Sequence, residues 1–336
     1  MRRYRFLLRL ILPVLLLASL SACGNSKEVD DQITIYSGRS ESFISPFLAE
    51  FTKETGIKVA VRYGEASALA AQILEEGENS PADIFLSPDA GALGAVSEAG
   101  LFAKLPNSIL NRVSANYRSV QSDWVGITGR VRVLGYAPDR VTKLPTTVDD
   151  LVKPEWRGRI GFAPASSYFQ SFITAMIQTR GVAETEAWLN GIKANSPKYF
   201  DKDSQIIEAI DAGEVDAGLV NHYYVWEVSE ELGRAMDVKV AFFAPEDIGN
   251  LVNVSGGGIL KTSGKPELGQ KLLEFLLADS IQKRFITDVH EYSLVDTSLR
   301  PEGLPALADV GAPKVDLSDL ANLRRTQELL IKVGLI

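Results

Sequence analysis

Apolar positions along the chain switch repeatedly between a period of two and a period of three to four. Ile33-Thr34-Ile35-Tyr36 predicts a strand. Ser45-Pro46 then predicts a helix start with proline at its first position; Phe47, Leu48 and Phe51 fall on one face and Gly56 supplies the stop. A second strand over 57–63, a helix over 66–76 stopped by Gly77 and a third strand over 83–86 follow. Such alternation of strand and helix implies an α/β fold with a mostly parallel sheet flanked by helices. The same alternation resumes later, with strands over 160–163, 199–200, 214–220 and 238–243. Helices are expected over 166–180, 184–195, 203–212 (opened by Asp203 and Ser204), 225–233, 266–278, 280–287 and 318–333.

Two stretches break this pattern. Residues 124–136 and 250–260 mix β-branched residues with glycines at intervals, as suits long strands that leave one lobe and enter another. Two crossings make two lobes, 32–127 with 254–300 and 128–253 with 301–336. Ser255-Gly256-Gly257-Gly258 lacks the lysine of a phosphate loop and reads as hinge glycine. In a parallel sheet, ligands collect at the carboxyl ends of strands, beside helix N-termini. The polar loops 37–41, 64–67 and 87–89 are therefore expected to line one side of a cleft, with ordinary capping turns as the plainer reading of each.

The amino terminus reads differently. Arg2, Arg3, Arg5 and Arg9 precede a short apolar core and the sequence Leu20-Ser21-Ala22-Cys23, so 1–22 is expected to be a secretory signal peptide. The segment resembles a bacterial lipoprotein signal, in which Cys23 is lipidated and 23–31 tethers the body to a membrane. Its apolar run is shorter than the roughly 20 residues of a spanning helix. Cys23 is the only cysteine, so thiolate chemistry is excluded from the mature chain. Loss of 1–22 lowers Lys+Arg from 35 to 31 against 43 Asp+Glu, a net charge of −12 over 314 residues. That balance argues against nucleic acid and favours cations; the length suggests two lobes rather than one core.

The chemistry concentrates at Asn221-His222-Tyr223-Tyr224, directly after the apolar run Ala217-Gly218-Leu219-Val220. Adjacent phenols at the end of a buried strand suit a small, hard, highly charged cation, since phenolate is a strong anionic oxygen donor. A phenol with a pKa of about 10 is a poor anion at neutral pH, but a trivalent ion at bonding distance overturns that preference, so binding must release protons. The plainer alternative is a pair of amphipathic aromatics. His222 points differently along the extended segment and reads as lying behind the ligands or on the surface; Tyr292 is a further residue that could face the cleft. Two histidines without a nucleophile elbow give an enzyme little support.

Ile35-Tyr36-Ser37-Gly38-Arg39, Ser80-Pro81-Ala82-Asp83-Ile84-Phe85 and the run from Gly213 to Tyr224 together resemble the ferric ion-binding proteins of bacterial ABC importers, which are type II periplasmic binding proteins. The resemblance implies a two-lobed α/β fold, each lobe a mostly parallel sheet flanked by helices, closing on Fe³⁺ held by Tyr223 and Tyr224. It implies Tyr168 as a further metal ligand, and Asn221 and Asp203 near a synergistic anion such as carbonate. Some members place a histidine after the first strand and a glutamate after the third; here those loops carry Arg39-Ser40-Glu41 and Ser87-Pro88-Asp89. A site dominated by the second lobe is therefore expected, its charge completed by an exogenous anion at the helix start of Ser166 and Ser167 or on the guanidinium forks of Arg39 and Arg130. The partners implied are a permease with its cytoplasmic ATPase and, through Cys23, a membrane; the protein is expected to be an exported monomer. A receptor for a small oxyanion or phosphonate, or a sensor partner of a membrane receptor, are the alternatives.

Overall fold

In a computed structural model, residues 31–336 are described; the expected signal peptide, Cys23 and all but the last residue of the tether lie outside them. The chain runs β1 Gln32–Ser37, α1 Glu41–Thr55, β2 Lys58–Tyr63, α2 Ala66–Glu76, β3 Ile84–Ser87, α3 Ala90–Glu98, α4 Asn107–Leu110 and β4 Val125–Tyr136. It continues with β5 Ile160–Phe162, α5 Ser167–Ala194, β6 Lys198–Tyr199, α6 Asp203–Asp211, β7 Ala217–Asn221, α7 Tyr224–Leu232, β8 Lys239–Ala241 and β9 Val252–Ile259. Last come α8 Pro266–Leu276, α9 Asp279–Val289, β10 Tyr292–Ser293 and α10 Leu323–Val333.

The strands lie in the order β2-β1-β3-β9-β4-β7-β5-β6, with β8 and β10 also pairing β4. Pairs β1–β3, β5–β7 and β5–β6 are parallel, whereas β9 and β4 are antiparallel to their neighbours. β4 is the strand that joins the two halves. Its first part pairs with β9 from Val125 to Val131, and its last part pairs with β7 from Arg132 to Tyr136. The fold is thus a mixed α/β sheet with flanking helices.

Several local expectations differ from the outcome for physical reasons. Helix α1 begins at Glu41 rather than at Pro46, so the proline lies inside it. Ile44, Phe47, Leu48 and Phe51 are all buried at i, i+3, i+4 and i+7, and that apolar face outweighs the one hydrogen bond that a proline removes. The expected helices 166–180 and 184–195 run together as α5, across a non-helical Gly181 at φ 79°. The glycines of β9 allow close packing: a Cβ at Gly258 would stand 2.7 Å from the Phe102 ring, and every residue of the strand is buried. The carboxyl-terminal segment touches both halves. Its turn Ser318–Ala321 presses against α3, where a Cβ at Gly94 would meet the Ser318 carbonyl at 2.2 Å, and Thr326 of α10 bonds Thr174 of α5 at 2.7 Å.

Helix α9 belongs with the first half: Phe285 stacks on Phe47 of α1 at 4.3 Å between centroids, and Gln282 donates to the Ile127 carbonyl at 2.9 Å. Helix α7 follows β7 in the second half. Among the described residues, no helix is long and apolar enough to cross a membrane.

Candidate functional site

A cavity of about 740 Å³ opens between the two halves and is lined from both. One wall carries Gly38, Arg39 and Ser40, Glu65 to Ser67, and Pro88 with Asp89, so residues from all three polar loops reach it. The other wall carries Ser167, Tyr168, Ser171, Tyr223, Tyr224 and Glu227. His290 and Glu291, between α9 and β10, close one end.

The three tyrosines converge from two elements. Strand β7 is buried throughout and ends at Asn221; the chain then turns into α7, whose cap is Tyr223 and whose first residue is Tyr224. Their rings lie 4.5 Å apart between centroids. Tyr168 sits in the first turn of α5 and meets Tyr224 edge to face at 6.3 Å. Burial pushes both the Tyr223 and Tyr224 hydroxyls well above the ordinary phenol range, and the neighbouring phenols add to it. Both therefore hold their protons at neutral pH until something displaces them.

Arg130 lies beneath this cluster, its guanidinium carbon 4.8 Å from the centre of the Tyr168 ring. All three of its nitrogens are buried and none has a hydrogen-bond partner among the described residues. Burial opposes its charge, but the Tyr168 and Tyr223 oxygens and the carboxylates of Glu291 and Asp89 outweigh that and hold it protonated. These nitrogens are sealed away from the cavity, and the guanidinium sits as a fixed positive charge beneath the Tyr168 ring. Arg39 does line the cleft, yet its Nη1 donates to Glu291 at 3.0 Å and its guanidinium lies 3.3 Å over the Phe43 ring. One arm of that donor fork is thus engaged by Glu291.

The remaining expected site residues scatter. Ser167 faces the cavity, whereas Ser166 does not: its hydroxyl accepts from the Phe169 N–H at 3.1 Å as the cap of α5. Asp203 is 1% exposed and off the cavity wall, paired with Arg132 at 2.5 Å. Asn221 is also off the wall, with a buried Nδ2 that has no partner among the described residues. Both Asp203 oxygens are engaged, one by Arg132 and the other by Ser166. Tyr292, which could have faced the cleft, is fully buried, and its hydroxyl donates to the Pro305 carbonyl at 3.0 Å.

His222 lies beside Tyr223, ring centroids 5.8 Å apart, and is completely buried. Its Nδ1 accepts from the Val131 N–H at 3.2 Å, which leaves Nε2 as the protonated nitrogen donating to the His290 carbonyl at 2.8 Å. Burial depresses its pKa to about 4, so the ring is neutral and both nitrogens are committed.

Two groups were not anticipated, Glu291 and Arg132, and a third, Asp89, was expected only as part of a polar loop lining the cleft. Glu291 is held by Arg39 and Thr128. Asp89 accepts from Gly91 N–H at 2.7 Å, from Ser171 Oγ at 2.9 Å and from Asn253 Nδ2 at 2.5 Å, a tie between the walls. Arg132, two residues from Arg130 and so on the same strand face, had that spacing as its only signal.

A family model described as a bacterial extracellular solute-binding protein matches residues 33–287. The Fe(3+)-binding periplasmic protein of Serratia marcescens is 35% identical over 332 residues, covering 96% of this chain and 97% of its own. The major ferric iron-binding protein of Neisseria meningitidis serogroup B is 32% identical over 308 residues, covering 90% of this chain and 93% of its own. Among solved structures, iron-bound HitA from Pseudomonas aeruginosa is similar with a TM-score of 0.83 and 34% identity, over 90% of this chain and 99% of that one. A Trichodesmium protein in complex with iron and citrate has a TM-score of 0.77 and 31% identity, over 91% of this chain and all of that one.

Proposed function

The chain belongs to the bacterial extracellular solute-binding protein family, and on that premise we propose that it captures ferric iron in its interlobe cleft through the phenolates of Tyr223, Tyr224 and Tyr168. It is the substrate-binding component of an iron importer of the ABC class, working outside the cytoplasm and delivering its cargo to a membrane permease. The observation that carries the site is the convergence of three phenols on one wall of a single cavity. Phenolate oxygen is matched to a hard trivalent ion in a way that a neutral or anionic solute does not require.

The same chemistry sets the direction of exchange. With the Tyr223 and Tyr224 hydroxyls held above their usual range by burial, each coordinating oxygen loses a proton as iron enters, so affinity falls as pH falls and acid favours release. Because Arg39 is engaged by Glu291 and Arg130 is sealed under the rings, an exogenous anion such as carbonate would bind on the metal itself, with Ser167 and the start of α5 beside it. The chain is read as a monomer, exported by residues 1–22 and anchored through a lipid on Cys23, and it performs no catalysis of its own.

Titration of the apo protein with ferric nitrilotriacetate tests the reading. A visible phenolate-to-iron charge-transfer band is expected, absent in Tyr224→Phe. A colourless protein that takes up no ferric iron sinks it. Mass spectrometry of the membrane fraction tests the anchor: a mature chain that begins elsewhere than a diacylated Cys23 refutes that part alone.

A further inference from the structure

Arg132 and Asp203 lie off the cleft wall, yet they tie together the elements that carry its tyrosines. Arg132 on β4 stands opposite Asn221 of β7 in the sheet register. Its Nη2 donates to the Leu219 carbonyl of β7 at 2.7 Å, and its Nη1 donates to Asp203 Oδ2, at the start of α6, at 2.5 Å. The other oxygen of Asp203 accepts from Ser166 Oγ at 3.3 Å, and Ser166 in turn caps α5 through the Phe169 N–H. One end of this chain of contacts is the strand that delivers Tyr223 and Tyr224; the other is the helix start that carries Tyr168.

We propose that the buried Arg132–Asp203 pair is a positioning strut, which holds the start of α5 at a fixed distance from the end of β7 so that Tyr168 meets Tyr223 and Tyr224 around one metal ion. The inference rests on the ferric reading above and adds the residues that set its geometry. Arg132 and Asp203 are 2% and 1% exposed. A charge pair taken that far out of water is a weak source of stability, because desolvation consumes most of its attraction. Its value lies in direction: guanidinium and carboxylate bond only in a narrow geometry. Partners behind metal ligands commonly set ligand orientation in this way.

A second observation separates this strut from other restraints on α5. Ser171 on the same helix is held by Asp89 from the opposite wall, a contact that any widening of the cleft breaks. The Arg132–Asp203–Ser166 chain lies wholly on the tyrosine side, so it keeps Tyr168 in place whether or not the cleft is closed. The three phenols are thereby pre-arranged before iron arrives, and the cost of ordering them is met in folding rather than in binding.

The test counts protons. Ferric nitrilotriacetate is added to weakly buffered protein, and proton release per iron is read with an indicator dye alongside the charge-transfer band. The neutral pair Arg132→Met with Asp203→Leu removes the strut without leaving a buried charge alone, and circular dichroism verifies its fold. Ser166→Ala, which leaves the ion pair intact and removes both its link to α5 and the cap on the Phe169 N–H, is the second variant. Each is expected to keep a band from Tyr223 and Tyr224 but to release one proton fewer per iron than the parent. Adding Tyr168→Phe to either should change nothing further, and Arg132→Lys should restore part of the loss. If both variants release as many protons as the parent, or if Tyr168→Phe still removes one more in their background, the strut is refuted while the ferric reading stands. A parent without any band refutes both.

Discussion

The two walls of the cleft are built from similar residue types but leave them in opposite states. On the wall of β1, β3 and their loops, the polar side chains satisfy one another. Arg39 pairs with Glu291 through Nη1, and Asp89 accepts from Gly91, Ser171 and Asn253. On the wall of β7 and the starts of α5 and α7, three phenols crowd together above a guanidinium that bonds to nothing among the described residues. A buried polar group without a partner costs free energy, and this wall carries that cost at Arg130. The lesson is that polarity of a cleft wall says little about binding until it is known which groups are already paired.

Four measurements would break or sharpen this contrast. The largest effect is expected from Tyr223→Phe combined with Tyr224→Phe, which should abolish ferric binding and the visible band in a titration while the melting temperature stays near the parent's. Next, Arg39→Gln should act on stability rather than on affinity. It strands Glu291 in a buried setting, and breaking such a pair costs about 3–5 kcal/mol, read as a lower denaturation midpoint. Affinity for iron, with and without carbonate, should move little; a carbonate-dependent loss would return Arg39 to the anion site.

The third effect concerns pH. In the folded protein His222 has its pKa lowered to about 4, against about 6.5 for an exposed imidazole. The unfolded chain therefore binds the proton first as pH falls, and stability is lost between about pH 6.5 and pH 4, up to about 3 kcal/mol in all. Urea midpoints at pH 7 and pH 4.5 should show this slope, and His222→Gln should flatten it. The smallest effect is at the rim, where His290 stacks on Trp226 at 5.1 Å and its Nε2 lies 3.4 Å from Glu230 of α7. His290→Ala should weaken the tie between α9 and α7 by about 1 kcal/mol or less, seen as a few-fold faster release of iron to a chelator. No change in the release rate would show that the rim contact does not hold the cleft.

Much of the fold was legible because its cause is local. The helix over 66–76 matches α2 in full, and the long stretch 124–136 is β4 to within a residue, since apolar periodicity and a stop glycine act over a few neighbours. Pro46 misled because a start signal was read without Ile44, which extends the buried face one turn earlier. Of the candidate site, Tyr223 and Tyr224 were visible because they are adjacent in sequence after an apolar run. Tyr168 came from the resemblance alone; nothing in its own surroundings distinguishes it from a tyrosine packed under the cleft.

By itself the sequence determined which donors the protein owns: adjacent phenols, no thiol beyond Cys23, an acidic surface and loops placed after strands. Only the tertiary structure decided which of them cancel. Arg39 meets Glu291 across 252 positions and Arg132 meets Asp203 across 71, while Arg130, on the same strand face as Arg132, meets neither. Charge pairing depends on distance in space and on burial, and both are fixed by how β4 carries the chain from one half to the other, so no pattern along the chain could have told the occupied guanidinium from the free one.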